Sequence, residues 1–272
     1  FYKVYYMKFL IKKIYIILFL LVILLTKSEV FAKESSIKYK RENISNYFSG
    51  IVFANKYYNN KAFKHLKKVQ SLNEIHSKFN IEFIRTLVLI EKFNEAFDFS
   101  KKVWTENELL FEADLLLGLN FFIKGDYANS EKHFERLNNI TKYNIFFEDF
   151  IGNVLISWSK ASQGHQEESF KFMEKIPPRY QHLTNIQNIL LKCHFDSNDT
   201  EKLFTELLQD NDYNFSRYNF FLTNYLLFKD NTTEAKKVIQ KARKKYSSNL
   251  LIKETENSLN IDNKKIINFF NC

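Results

Sequence analysis

Cys193 and His194 carry the side chains of this chain best suited to nucleophilic chemistry. An imidazole takes the proton of a thiol, and the thiolate left behind attacks. They are sequence neighbours in a helical pattern, so they project about 100° apart around a helix and form no dyad. The other histidines are His65, His76, His133, His165 and His182. None falls in an HExxH motif or another metal-ligand spacing. The paired acids Glu167 and Glu168 stand beside a turn with no pocket implied, and most such acids are surface charges. There is no GxSxG, no phosphate-binding loop and no dinucleotide glycine pattern. The chain is therefore expected to hold no catalytic residue, no metal and no cofactor. Cys193 lies in a helical pattern and Cys272 ends the sequence, so both are expected to be unpaired thiols.

Composition says what must position any functional surface. The 272 residues include only five glycines and two prolines, which argues against a β fold built on many tight turns. Aromatic residues make up 17%, too many for a disordered chain. The net charge of +9 overstates the basic character, because the first 32 residues hold five lysines against one glutamate. The remainder is a mild +5, weak support for nucleic acid as a partner.

Those first residues are organised for export. Lys8, Lys12 and Lys13 precede an unbroken apolar run, Ile14 to Leu25, and Val30-Phe31-Ala32 follows as a cleavage site. Order and lengths fit a secretory signal peptide over 1–32, with Met7 as the start and the mature chain opening near Lys33. The run is short for a spanning helix, which needs about 20 apolar residues. An uncleaved anchor is the alternative. No cysteine follows the run, so lipid attachment is not supported. The segment places the protein in the periplasm, or on the inner membrane facing it, with membrane contact only through this segment.

The rest is periodic. In LLLGLNFFIKGDYANSEKHFERL, Gly118 is followed by Phe121, a turn at Gly125-Asp126-Tyr127, Ser130 twelve residues after Gly118, then Phe134 and Leu137. Residues 43–76 repeat the pattern with Gly50, Phe53, Ala62, Leu66 and Val69. Residues 77–110 repeat it with Ile84, Leu87, Phe93, Ala96 and Val103, departing at Ile84 and Ser100, which predicts a looser crossing. An insertion, NNITKYNIFFEDF, precedes a fourth unit through Ser157, Gly164, Ser169, Met173 and Ile176, stopped by Pro177-Pro178. In this alignment Gly152 falls early in a helix, and its distance from Gly118 is accidental. A fifth unit runs through Leu191, a turn at Asn198-Asp199, Leu203 and Leu207. A sixth carries Ala235, Ile239 and Ala242.

A small residue in the first helix of each pair, a second one twelve residues on and a period near 34 resemble the tetratricopeptide repeat family. The resemblance covers about 43–247 as six units, after a linker at 33–42, with a truncated seventh over 248–272. It implies an all-α fold, a right-handed superhelical solenoid of stacked helix-turn-helix repeats. In that family the first helix of each pair lines a concave groove that binds peptides or partner helices. The resemblance thus assigns Asn55, Arg85, Trp158, Lys192, Arg217 and Asn224 to a protein-binding groove, with Phe122, Phe195 and Phe220 nearby and suited to packing between units. The glycine at position 118 is expected to let two helices cross closely.

Lys236, Lys237, Lys241, Arg243, Lys244 and Lys245 form a basic cluster on the last complete helix. It reads as a solvated helix C-terminus or as a contact for anionic lipid or an acidic partner. The function implied is an exported scaffold or adaptor for protein–protein binding, without catalysis. Two alternatives stand beside it: a substrate-binding arm of a larger envelope enzyme whose catalytic domain lies beyond residue 272, and a membrane-tethered assembly factor.

Overall fold

The computed structural model describes residues 41–141, 149–209 and 214–260. The signal-peptide segment, Cys272 and most of the insertion after Leu137 lie outside them. The chain divides into two units, Phe1–Ser45 and Asn46–Cys272. Among the described residues there are thirteen α-helices, two 3-10 segments and no strand. The helices are α1 (Arg41–Asn55), α2 (Asn59–Leu66), α3 (Ser77–Leu89), α4 (Phe93–Val103), α5 (Phe111–Ile123), α6 (Tyr127–Thr141) and α7 (Ile151–Ser162). They continue as α8 (Gln166–Glu174), α9 (Gln181–His194), α10 (Thr200–Gln209), α11 (Ser216–Phe228), α12 (Thr232–Lys245) and α13 (Leu250–Asn260). The fold is all-α, as the composition implies.

One turn recurs six times. Each odd-numbered helix from α1 to α11 ends on a residue with left-handed backbone: Tyr57, Glu91, Gly125, Gly164, Asp196 and Asp230, with φ between 51° and 79°. The residue after it donates its N–H back five positions. Tyr58 bonds Phe53 O, Lys92 Leu87 O, Asp126 Phe121 O, His165 Lys160 O, Ser197 Lys192 O and Asn231 Leu226 O, all at 2.8–3.0 Å. This closes the orphan carbonyls of the helix end in a Schellman motif. Glycine takes the left-handed position freely at Gly125 and Gly164, whereas the other four residues carry a Cβ into a region that disfavours it. The fifth turn sits at Asp196, two residues before the Asn198-Asp199 expected from sequence. Asp199 instead precedes α10 and binds Lys192.

The crossing within each pair also repeats. Ala62, Ala96, Ser130, Ser169 and Ala235 are all 0% exposed, each the fourth residue of its even-numbered helix, while in α10 the buried small residue is Thr200 at the first position. Where the residue is serine, a hydroxyl at the crossing bonds the backbone of the facing helix. Ser130 Oγ donates to Gly118 O at 2.9 Å, and Ser157 Oγ donates to Ser169 O at 2.8 Å. The expected role of Gly118 is visible in its surroundings: a Cβ there would lie 2.4 Å from Phe134 Cε1. At Gly50 it would lie 2.6 Å from Leu66 Cδ2. Gly152, whose spacing sequence treated as accidental, has a packing reason of its own. Its Cβ would meet Asn138 Oδ1 at 2.1 Å and the backbone oxygen of Phe134 at 2.7 Å, so it sets the approach of α7 to α6.

A third periodic position is polar. Asn46, Asn80, Asp114, Asn153, Thr184 and Asn219 lie early in successive odd-numbered helices and are at most 8% exposed. Several of them tie the helix to the connection before it. Asn80 Nδ2 donates to Asn73 O, Asn153 Nδ2 to Asp149 O, Thr184 Oγ1 to Tyr180 O and Asn219 Nδ2 to Phe215 O. Buried amides need such partners, because an unmatched one costs about 1–3 kcal/mol.

Packing follows chain order. Each helix from α2 onward packs on the next, and α3 on α5, α7 on α9, and α11 on α13 also touch. The α3–α4 pair is less closely engaged than α5–α6 or α7–α8, as the larger Ile84 at its crossing predicts. The first hairpin's second helix is short, passing at Leu66 into a 3-10 stretch, Lys67–Glu74, with Val69 off helical geometry. Cores form locally, for example around Phe79, Phe83 and Phe99, whose rings pack edge-on or stacked. Cys193 is disulfide-bonded, which corrects the expectation of an unpaired thiol at that position.

Candidate functional site

The six residues assigned to a groove have different surroundings. Asn55 and Arg217 are exposed. Arg85 on α3 donates from Nε to Glu112 Oε1 of α5 at 2.8 Å. Trp158 on α7 donates from Nε1 to Gln187 Oε1 of α9 at 2.8 Å. Both thus bridge one odd-numbered helix to the next. Lys192 is bound to Asp199 within its own hairpin, which holds the Asp199 carboxyl below its ordinary range. Asn224 is 3% exposed and donates to Phe220 O at 2.8 Å, so it is occupied inside the fold. The contacts of these residues run to other groups and do not gather them into one site. Phe122 and Phe195 pack against the cores, the role expected for them, and so does Trp158 of the groove set.

A cleft of about 580 Å³ lies between α10 and α12, floored by α11. Leu222 and Leu226 form its bottom, and the half-buried Leu208 and Val238 flank them. Lys237, Lys241 and Lys245 line one wall at four-residue intervals, which places them in a row on one face of α12. Glu201 and Glu234 stand at one end. The other end is closed by Asn214, which donates from Nδ2 to Leu208 O, accepts from Asn219 at Oδ1 and accepts from the Tyr246 hydroxyl at its carbonyl. Half of the basic cluster seen in the sequence therefore lines a cleft with leucine at its floor and mixed polar and apolar walls.

The corresponding cleft between α6 and α8 is smaller, about 400 Å³, and polar. It is lined by Glu135, Asn138, Asn153 and Lys175, with Phe172 under the Lys175 ammonium. Beside it, Glu131 of α6 accepts from Ser159 Oγ at 2.9 Å and Lys160 Nζ at 2.9 Å on α7, and from Gln163 Nε2 at 2.7 Å just past its end. Burial alone would raise the Glu131 carboxyl, but these bonds and the Lys160 charge outweigh it and hold it below its ordinary value. The same bond to Glu131 raises Lys160.

The densest polar cluster escaped the sequence reading. Asp114, 0% exposed, accepts at Oδ1 from Trp104 Nε1 at 2.8 Å and from Arg136 Nε at 2.9 Å, with His133 Nδ1 at 2.9 Å. Arg136 also donates to the carbonyls of Thr105, Glu106 and Glu108, clamping the connection between α4 and α5. His133 and Asp114 are 8% and 0% exposed at the side chain, so the pair is walled off from substrate and its role is to hold structure. A signal for it existed. Asn46 and His65 are spaced as Asp114 and His133 are, and also meet, at 3.0 Å.

Among the described residues, no group of three His, Cys, Asp or Glu could hold a metal ion. No described helix is long and apolar enough to cross a membrane. No protein-family model matches the chain, and no curated protein matches it.

Proposed function

We propose that this chain is an exported scaffold of tetratricopeptide-like hairpins that binds a polypeptide partner and performs no chemistry itself. The hairpins stack as a right-handed superhelical solenoid, acting in the periplasm after removal of residues 1–32. The observation that carries the reading is the recurrence of one hairpin, with the same left-handed turn six times in succession and the same buried small residue in five of the six. A chain built by repeating one unit presents the seams between units as elongated surfaces, which suit extended or helical segments of other proteins. The open α10–α12 cleft is such a seam.

Site-specific photo-crosslinking tests this. A photoreactive residue is placed in the full chain at Thr205 in the cleft, or at Arg85 or Arg217 on the odd-numbered helices. A discrete polypeptide adduct is expected from at least one position. The absence of any adduct from all three, in cells expressing the chain at its native level, would contradict the binding role. N-terminal sequencing of the exported protein should give a start near Lys33, and an intact leader would replace the soluble scaffold with a tethered one.

A further inference from the structure

The α10–α12 cleft has a direction. Asn214 at the start of α11 contacts Leu208 near the end of α10 and Tyr246 just past the end of α12. Both cleft walls therefore finish at the same end and run parallel. At their starts stand Glu201 and Glu234. Toward their ends stand Lys241 and Lys245. Lys237, between them, is paired with Glu234 at 2.9 Å. Lys241 makes no ion pair or hydrogen bond among the described residues, and Lys245 leans on the Tyr246 ring, 5.6 Å away. The cleft is thus apolar along its floor, acidic at one end and basic at the other. From Glu234 to Lys245 it spans about 16 Å, three turns of helix.

Resting on the scaffold reading above, we infer that the cleft receives an acidic amphipathic helix of a partner protein, lying parallel to α10 and α12. Its apolar stripe covers the half-buried Leu208 and Val238, over a floor already closed by Leu222 and Leu226. Carboxylates in its second half meet Lys241 and Lys245. A helix has a positive N-terminus and a negative C-terminus, so this orientation sets each end against the opposite charge of the cleft. The reverse orientation sets each end against like charge. An apolar groove with charged flanks takes a helix by this division of labour, apolar anchors for affinity and charges for register.

The test uses labelled amphipathic peptides of about 15 residues, long enough to be helical when bound. They share one apolar stripe and carry glutamate, glutamine or lysine on the flanks. A further pair confines the glutamates to the first or the second half. Fluorescence anisotropy against the full chain should show binding of the glutamate peptides, with second-half placement at least tenfold tighter. Lys241→Glu with Lys245→Glu should weaken it at least tenfold. Lys236→Glu with Lys244→Glu makes the same change in net charge off the cleft wall and should leave it within about twofold. Equal loss in both double variants would overturn the cleft assignment in favour of general charge attraction. Binding of only glutamine or lysine peptides would overturn the acidic occupant and leave the scaffold reading standing. Failure of every peptide, together with no crosslinked adduct, would end both. Vesicles of anionic phosphatidylglycerol provide the last arm: if they bind the chain, displace the peptide and lose affinity in the Lys241/Lys245 variant alone, the surface is for lipid and the inference fails.

Discussion

The seam between α6 and α7 and the seam between α10 and α11 occupy equivalent places between successive hairpins, and one position in them shows a clear contrast. Before the buried Asn153 stands Gly152, and before the buried Asn219 stands Tyr218. Without a Cβ at 152, α7 approaches α6 until the backbone oxygen of Phe134 lies where that carbon would be. The Tyr218 ring instead packs into the core around Phe204 and Leu226. The α10–α11 pair is the less closely engaged of the two, and the larger cleft opens beside it. In a repeated architecture, then, the volume at one seam position goes with how closely the two helices approach. The sealed region also holds the buried charge cluster around Asp114, and the open one presents lysines to solvent.

The largest effect should come from breaking the sealed side at its charges. Asp114→Ala leaves Arg136, Trp104 and His133 without their shared acceptor, at 0% exposure. Removing one partner of a buried ion pair costs about 3–5 kcal/mol. A denaturant midpoint close to that of the parent chain would show that Arg136 finds all it needs in the three carbonyls it also binds.

Next come the glycines. Gly118→Leu must displace the Phe134 ring, which is fully buried, and Gly152→Ala must displace backbone. Overpacking of this kind costs about 1–3 kcal/mol. A thermal melt is enough to check both. An unchanged Tm for Gly152→Ala would remove the basis of the comparison between the two seams.

These positions show how far the sequence could be read. The small residues at 118 and 130, the turn at Gly125 and the helical pairing were legible because each needs a residue type that is rare here or excluded from helices. The fifth turn was misplaced because Asp196 adopts left-handed backbone without the glycine that signals it. The polar position at 46, 80, 114, 153, 184 and 219 was overlooked for a related reason: asparagine is common throughout the chain and looks like surface. Its repetition was readable, but its burial follows from the packing of successive helices, which the residue type does not announce. The groove residues were the least legible. A helix pattern tells which face a side chain is on, and not whether a neighbour such as Glu112 or Asp199 already holds it.

The sealed seam should also respond to pH. Glu131 is held below its ordinary value of 4.5, so its contribution is complete above that value and is lost as pH falls through the lower, folded one. Lys160 is raised above 10.5, so its share is complete below that and is lost as pH climbs past the folded value. Glu131→Gln should cost roughly 1 kcal/mol at neutral pH. It should also flatten the acid limb of stability against pH. An acid limb as steep as the parent's would assign it to other carboxylates. At the turn of the second hairpin, Glu91→Gly should act in the other direction, stabilising by up to about 1 kcal/mol, because φ at residue 91 is 61° and glycine adopts it without a Cβ penalty.

The smallest effect on stability is expected on the open side. Lys241 and Lys245 lie on the exposed face of α12 and support no core contact, so Lys241→Glu with Lys245→Glu should change stability by about 0.5 kcal/mol or less. The sign should be unfavourable, since the cations at 243–245 favour the negative end of the helix and glutamate at 245 opposes it. Added salt should shrink even that difference, because exposed charges are screened over about 10 Å at 0.1 M. A loss of 2 kcal/mol or more would mean that these lysines are structural, as Arg136 is, and that the wall of the cleft is part of the fold instead of a surface kept free for a partner.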